Sequence, residues 1–336
     1  MYHIILAGGS GTRFWPMSTE ENPKQFLKIV DDLSLIKTTY NRLLKISSQD
    51  KIFIVSSKKY IDKINNEIDS PNIIIEPTSK NTAPAIYLAA KHIYAIDNNA
   101  KLGFYPSDHY IQNDNEFLDA IDNINNYLDI NMNAILTIGV QPDYAATGYG
   151  YIGYNEDINP FDNIYKVDLF TEKPNSNQAE ELIQKKSNLW NAGMFFFYAE
   201  TIISEIEKFN SDFKDNANNI IDSWDSLPSI SIDYAVMEKT DACYCIRGDF
   251  IWSDVGSWKT LYELLDKNID KNVISGNSIF HDSKNNLIIS PDKLTAVVGL
   301  NNIAVINIED ATLVIDLNKS DDLKFLVKKI VRNKNY

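Results

Sequence analysis

Leu6-Ala7-Gly8-Gly9-Ser10-Gly11-Thr12-Arg13-Phe14-Trp15-Pro16 follows directly on the apolar run His3-Ile4-Ile5-Leu6-Ala7. A short apolar run closed by glycines reads as a buried strand ending in a tight loop, and the carboxyl end of a strand is where open α/β sheets bind ligands. Glycines there let the backbone approach a ligand closely, and the exposed N–H groups can cradle phosphate. The loop is not a dinucleotide fingerprint, because counting from Gly9 the third glycine's place is taken by Phe14; nor is it a Walker loop, because no Gly-Lys-Ser/Thr follows. Taken alone, the three glycines read equally well as a strand-to-helix turn. Two cations shift that balance: Arg13, one of only four arginines in the chain, and Lys24, just after Asn22-Pro23. Backbone donors, a guanidinium fork and an ammonium together suit the phosphates of a nucleoside triphosphate. Pro16 and Pro23 bar a regular helix across the interval.

Outward from this loop, short apolar runs alternate with amphipathic stretches. Lys51–Val55, Asn72–Ile75, Leu102–Tyr105 and Ala134–Ile138 predict further buried strands, and Ser34–Ile46, Tyr60–Ile68, Thr82–Ile96 and Asn115–Leu128 predict crossover helices. Such alternation implies an α/β fold with a doubly wound, mixed and mostly parallel sheet covered on both faces. Between Tyr149 and Ile251 the pattern is less regular, with strands expected at Tyr165–Thr171 and Gly193–Tyr198 and helices at Ala179–Lys185 and Ala199–Phe209. From about Lys267 the texture becomes short β-rich stretches separated by Asn, Asp and Gly: Asn272–Ile279, Asn286–Ser290, Thr295–Leu300, Ile303–Ile308 and Thr312–Asp316. The expected division is therefore 1–266 and 267–336, the second part a small β-helical appendage closed by a helix over Asp321–Val331.

Composition narrows the function. The 336 residues carry 32 Lys+Arg against 46 Asp+Glu, so 32 − 46 = −14, which excludes a general binder of nucleic acid or anionic membrane. Two cysteines, Cys243 and Cys245, and four histidines are too few for a disulfide framework or a Cys/His zinc site, and a reducing, cytoplasmic location is expected. Both cysteines lie in the alternating run Ala242–Ile246 and read as packing residues. No run approaches the roughly 18 apolar residues of a membrane span.

The loop with Pro23-Lys24-Gln25-Phe26 resembles the signature of the sugar-nucleotidyltransferases, and within them the mannose-1-phosphate guanylyltransferase branch. Further blocks of that family follow in order over about the first 260 residues: Glu76 to Ala85, Pro106-Ser107-Asp108-His109, Thr147 to Ile152, Phe170 to Pro174, Trp190 to Phe195, Ser231 to Lys239 and Trp252 to Trp258. Ser107 stands where the family commonly has alanine, and Ala192 where it commonly has serine. The family's cupin-type isomerase domain, present in many bacterial relatives, is not expected within these 336 residues, and the β-rich tail resembles the family's β-helical appendage.

The resemblance implies that α-D-mannose 1-phosphate and GTP give GDP-mannose and pyrophosphate, with Mg²⁺ as cofactor; a homodimer is the expected assembly, with the β tail and closing helix as its contacts. The sugar phosphate is already ionised at neutral pH, so such a reaction needs no general base; its difficulty is bringing two polyanions into line. Arg13 and Lys24 are implied to neutralise the triphosphate, and Asp108 and Asp254 to bind the metal. Leu6, Ala7, Gly8, Gly9, Ser10, Gly11 and Thr12, together with Asn81, Thr82, Pro106 and Ser107, are implied to hold the nucleotide, and Gly148, Tyr149, Glu172, Lys173 and Asn191 the sugar phosphate. On local grounds Asp108 could equally cap a helix, as could Asn81 ahead of Thr82. Trp252 and Trp258 read either as core fillers or as walls of the sugar pocket. A sugar-nucleotide sensor without activity would be expected to lack Arg13, Lys24, Asp108 or Asp254, and all four are present. A nucleotidyltransferase for another base, hexose or heptose is the nearest alternative within the same chemistry.

Overall fold

The computed structural model describes residues 1–9, 11–217 and 219–332. The chain divides into two compact units: Met1–Gly8 with Thr39–Ser107 and Ile111–Trp252, and Gly9–Thr38 with Asp108–Tyr110 and Ser253–Tyr336.

The first unit is built on a nine-stranded sheet. Its strands are β1 (Tyr2–Leu6), β2 (Ile52–Ser57), β3 (Asn72–Glu76), β4 (Lys101–Pro106), β5 (Ile135–Val140), β6 (Tyr151–Tyr154), β7 (Ile164–Thr171), β8 (Asn188–Tyr198) and β9 (Cys243–Gly248). They lie in the order β3-β2-β1-β4-β8-β5-β9-β7-β6, with β6 also pairing with β8. β7 and β8 run against the other strands, so the sheet is mixed, with one prevailing direction. All six residues of β5 are buried, as a strand covered on both faces requires.

Helices α1 (Leu35–Leu43), α2 (Ile61–Glu67), α3 (Thr82–Ile96), α4 (Asp114–Ile130), α5 (Ser176–Ile183), α6 (Ala199–Phe209) and α7 (Ser211–Asp215) follow the strands. Pro84 is tolerated in α3 because the first turn has no intrahelical acceptor to serve. Asn175 caps α5 in a reciprocal pair with Gln178. The main core joins α3 and α6 to the sheet through Ile86, Ala90, Ile93, Ile202, Ile206, Phe104 and Phe197, each buried aliphatic side chain contributing about 2 kcal/mol. Cys243 and Cys245 are buried free thiols on β9, as packing residues should be.

The second unit holds α8 (Trp258–Leu264), then β10 (Val273–His281), β11 (Leu287–Val298), β12 (Ile303–Asn307) and β13 (Thr312–Asp316), and closes with α9 (Leu323–Arg332). β10, β11 and β12 pair in parallel and β13 closes antiparallel. The asparagines in the turns are structural: Asn272 and Asn286 are buried, donating to Ser283 O and Leu300 O and accepting from Asn286 N and Ile303 N. Two strands expected separately, Asn286–Ser290 and Thr295–Leu300, join as β11, because the register jumps from Gly276↔Ser290 to Ser278↔Thr295 and the exposed residues 291–294 bulge outward. Gly276 is required there, since at φ 94° a Cβ would strike Ser290 O. Phe14, Leu27, Ile29 and Leu35 share one core with Val255, Trp258 and the tail residues Val273, Leu287, Ile289 and Ile306. The segment after the glycines thus belongs to the same compact unit as the β tail, a long-range pairing that local sequence patterns do not encode.

Candidate active site

In the first unit, β1 delivers Leu6, Ala7 and Gly8 to the end of the sheet. Ala7 N donates to Val55 O and Ala7 O accepts from Ser56 Oγ, while Leu6 O accepts from Ser107 N, so strand end and Pro106-Ser107 turn are fixed together. Gly8 lies against the Glu76 carboxylate, and a Cβ there would have to displace Oε1. Glu76 ends β3, is 2% exposed, and its Oε1 has no hydrogen-bond partner among the described residues. Burial pushes its carboxyl up to about 7. Asn81 caps α3 by accepting from Thr82 N, at φ 73° and ψ −171°, backbone angles otherwise left to glycine. The Thr82 hydroxyl accepts from Ile232 N at 2.8 Å, so this oxygen fastens the segment around Ile232 to α3.

A second group in this unit gathers the residues expected at the sugar phosphate. Glu172, with a side chain 8% exposed, pairs with Lys173 Nζ and lies against Gly150, where a Cβ would come within 2.7 Å of Oε2. Glu172 N donates to Glu238 Oε1 at 3.0 Å. Asn191 on β8 is buried, donating from Nδ2 to Asp233 Oδ1 at 3.1 Å and accepting from Thr137 Oγ1 at 2.9 Å. Asp233 opens a π-helical turn, Asp233–Met237, and its carboxyl is pushed up to about 6 by burial and then by the charge of Glu172. Gly148 is open, with nothing within 4 Å of a would-be Cβ. The Tyr149 ring stands edge-on to both Trp190 and Trp252, at 5.0 and 5.2 Å between centroids.

In the second unit the loop is organised around Lys24. Gly11 sits at φ 51°, and a Cβ would fall 2.6 Å from Lys24 Cβ and 2.8 Å from Lys24 N, so only glycine admits the lysine backbone. Two 3₁₀ turns, Thr12–Phe14 and Lys24–Phe26, replace the helix that the prolines forbid. Gln25 Nε2 donates to Gly9 O at 3.2 Å. Phe14 is buried edge-on to Trp258 at 4.7 Å, and Trp258 Nε1 donates to Trp15 O, so Trp258 is a core filler. Arg13 is exposed, while Lys24 is 6% exposed. Lys24 Nζ meets Asp108 Oδ2 at 2.9 Å and donates to Asp254 O. Burial pushes the Asp108 carboxyl up, but Lys24 and His109 outweigh it and hold the carboxyl below its ordinary range. The Asp254 carboxylate folds over Gly256, where a Cβ would come within 2.7 Å of Oδ2, and the next residue, Val255, is buried at φ 44°. A β-branched residue in the left-handed region costs roughly 1–3 kcal/mol, strain concentrated beside a candidate ligand.

Of the expected residues, the structure thus joins Lys24, Asp108 and Asp254 in one group and Glu172, Lys173 and Asn191 in another; Ser10 lies outside the described residues. The sequence reading did not single out Glu76, Asp233, Glu238 or Thr137. The first three stand inside the motif blocks, yet spacing alone does not reveal which carboxylates become buried. Asp108 and Asp254 offer the hard oxygen donors that a divalent cation such as Mg²⁺ takes. Among the described residues no group of three or more His, Cys, Asp or Glu side chains gathers to hold a metal. That donor set fits a cation kept by two carboxylates and completed by water and substrate phosphate.

Residues 2–271 match the family model described as nucleotidyl transferase, and residues 276–330 match the mannose-phosphate isomerase/GMP-like beta-helix domain. A mannose-1-phosphate guanylyltransferase of Klebsiella pneumoniae is 36% identical over 98% of this chain and 74% of its own length. Mannose-1-phosphate guanylyltransferase 2 of Escherichia coli O157:H7 is likewise 36% identical, over 98% of this chain and 72% of its own. Among solved structures, one from Thermus thermophilus described as a mannose-1-phosphate geranyltransferase superposes with a TM-score of 0.90 at 25% identity, covering 98% of both chains. With a buried lysine set between two aspartates behind a glycine loop, and a family match spanning most of its length, the chain belongs to the nucleotidyl transferase family.

Proposed function

We propose that the protein transfers a guanylyl group from GTP to α-D-mannose 1-phosphate, giving GDP-mannose and pyrophosphate. One observation carries the reading: the buried Lys24 is held by Asp108 and the Asp254 carbonyl in the loop that starts with the glycines. An ammonium fixed in this way is set for phosphate oxygens, and the adjoining carboxylates for a hard cation. In the reaction an oxygen of the sugar phosphate forms a bond to the α-phosphorus of GTP, and the bond from that phosphorus to the bridging oxygen breaks, releasing pyrophosphate. Mg²⁺, when bound by Asp108 and Asp254, supplies charge neutralisation on the phosphates. Lys24 and the exposed Arg13 add positive charge where the leaving pyrophosphate develops its own. Gly9, Gly11 and Thr12 give backbone donors to the phosphates; Leu6, Ala7, Gly8, Pro106 and Ser107 wall the nucleotide, and Asn81 and Thr82 border the base.

Guanine has two adjacent donors, N1–H and N2–H₂, and the partnerless Glu76 oxygen beside Gly8 is an acceptor suited to them. Glu172 accepts from sugar hydroxyls, Lys173 pairs with the 1-phosphate, Asn191 donates an amide hydrogen, and Gly148 and Tyr149 admit the hexose. The division at 266/267 belongs to the same proposal, with transfer chemistry before it and the β tail after it. So do a homodimer, supported by the exposed Phe325 and Leu326 on α9, and a reducing cytosolic setting for the free thiols. Pyrophosphate release with mannose 1-phosphate and Mg²⁺, run with GTP, ATP, UTP and dTTP, tests the reading: GTP-selective release is expected. Dominant use of a pyrimidine nucleotide would remove guanine from it, and no release with any of the four would remove mannose 1-phosphate.

A further inference from the structure

The amide of Asn191 is almost wholly committed to protein partners. Its oxygen accepts from Thr137 Oγ1 at 2.9 Å and from Gly193 N at 3.1 Å, which fills both lone pairs. Its nitrogen gives one hydrogen to Asp233 Oδ1 at 3.1 Å, and the second hydrogen meets no protein acceptor among the described residues. Asn191 can therefore face a ligand only as a donor, in a direction set by Asp233. Asp233 itself is held firmly, because Ala83 N donates to Ile230 O and Ile232 N to Thr82 Oγ1, which anchors the preceding segment to α3. We propose that Asp233 is a positioning residue of the sugar-phosphate subsite, orienting the Asn191 amide so that its remaining N–H donates to a hydroxyl oxygen of the hexose; the inference rests on placing Asn191 in that subsite.

The charged groups around Asp233 make this role sensitive to pH. Glu172 and Lys173 act on it from the end of β7 and the turn that follows, Ser231 Oγ bonds to it, and Glu238 closes its own turn and accepts from Glu172 N. Burial first, and Glu172 second, push the Asp233 carboxyl up to about 6, while its backbone hydrogen bond, Lys173 and Ser231 pull the other way. Above that pH the carboxylate accepts fully from Asn191; below it the proton competes for the same oxygens. The phosphate of the substrate also titrates near pH 6, so the informative quantity is the difference between wild type and variant.

The test is a double-mutant cycle on steady-state kinetics with mannose 1-phosphate and GTP, using Asp233→Ala and Asn191→Ala singly and together. Asp233→Ala is expected to raise the KM for the sugar phosphate about tenfold, the usual scale of one charge-assisted hydrogen bond, with the KM for GTP within about twofold. In the Asn191→Ala background the same change is expected to add almost nothing. Additive effects, or an equal rise in both KM values, would overturn the proposal. Asp233→Asn keeps an acceptor oxygen without the charge, so it should restore most of the affinity at pH 7.5 and lose the wild type's extra rise in KM below pH 6. If Asp233→Ala does not fold, this pH comparison decides alone: a wild-type profile in Asp233→Asn would sink the idea. Should wild type turn over another hexose 1-phosphate and not mannose 1-phosphate, the reading of the substrate fails while the cycle, run with that hexose, still judges Asp233.

Discussion

Asp108 and Asp233 start from the same physics and end in opposite states. For each, burial is the largest influence and raises the carboxyl. Beside Asp108 the neighbours are Lys24 and His109, which reverse the effect; beside Asp233 the next influence is Glu172, which adds to it. In the loop group the Asp108 carboxyl is held below its ordinary range by the facing lysine. In the other group, where Glu172 and Glu238 stand close by and Lys173 is the facing cation, the Asp233 carboxyl takes a proton more readily than an ordinary aspartate. Burial alone therefore does not decide what a carboxylate does; the charge of its nearest neighbours decides the sign.

The comparison breaks most visibly at Asp254. If Asp254 holds the cation as proposed, Asp254→Asn should lower kcat by about two orders of magnitude with an unchanged melting temperature. Turnover equal to wild type at saturating Mg²⁺ would take Asp254 out of the metal site. Glu76 extends the comparison to a carboxylate whose burial no charged neighbour among the described residues reverses. Its folded pKa of about 7 lies above the ordinary 4.5, so between these values the native state binds more protons than the unfolded one, and stability falls as pH rises. Glu76→Gln should thus melt higher than wild type at pH 8, by up to roughly 3 kcal/mol of stability, and equally at pH 4.5. Equal melting temperatures at pH 8 would mean that Glu76 is not held against its charge.

Gly11→Ala probes how rigidly Lys24 is set. With φ 51° and a Cβ 2.6 Å from Lys24, the variant should lose about 2 kcal/mol in denaturant unfolding and lose activity with it. Full stability would show that the loop yields without cost. Smallest is Lys173→Ala on the acidic side, expected to raise the KM for the sugar phosphate about tenfold and leave that for GTP nearly alone. The opposite order would exchange the two subsites.

Much of the fold was legible because its signals are local. The strand of His3–Ala7, the helix Thr82–Ile96 and the tail strand Thr312–Asp316 are set by apolar spacing and turn residues within a few positions, and the observed elements match them closely. The joined strand β11 was not legible, because its continuity depends on pairing with β10 across a bulge. The two tryptophans could not be told apart either: Trp258 fills a core beside Phe14, whereas Trp252 meets Tyr149, and both partners are distant in sequence.

By itself the sequence determined the chemistry on offer: a glycine loop after the first strand, two cations behind it, two loop aspartates and an ordered series of blocks. These survive any change of packing because they are properties of residue type and order. Only the tertiary structure decided which of those groups meet. Lys24 meets Asp254 across 230 positions, Glu76 is left, among the described residues, with a partnerless oxygen against Gly8, and Asp233 takes hold of Asn191. Desolvation and Coulomb interaction act through space over a few ångströms, and distance along the chain carries no record of either.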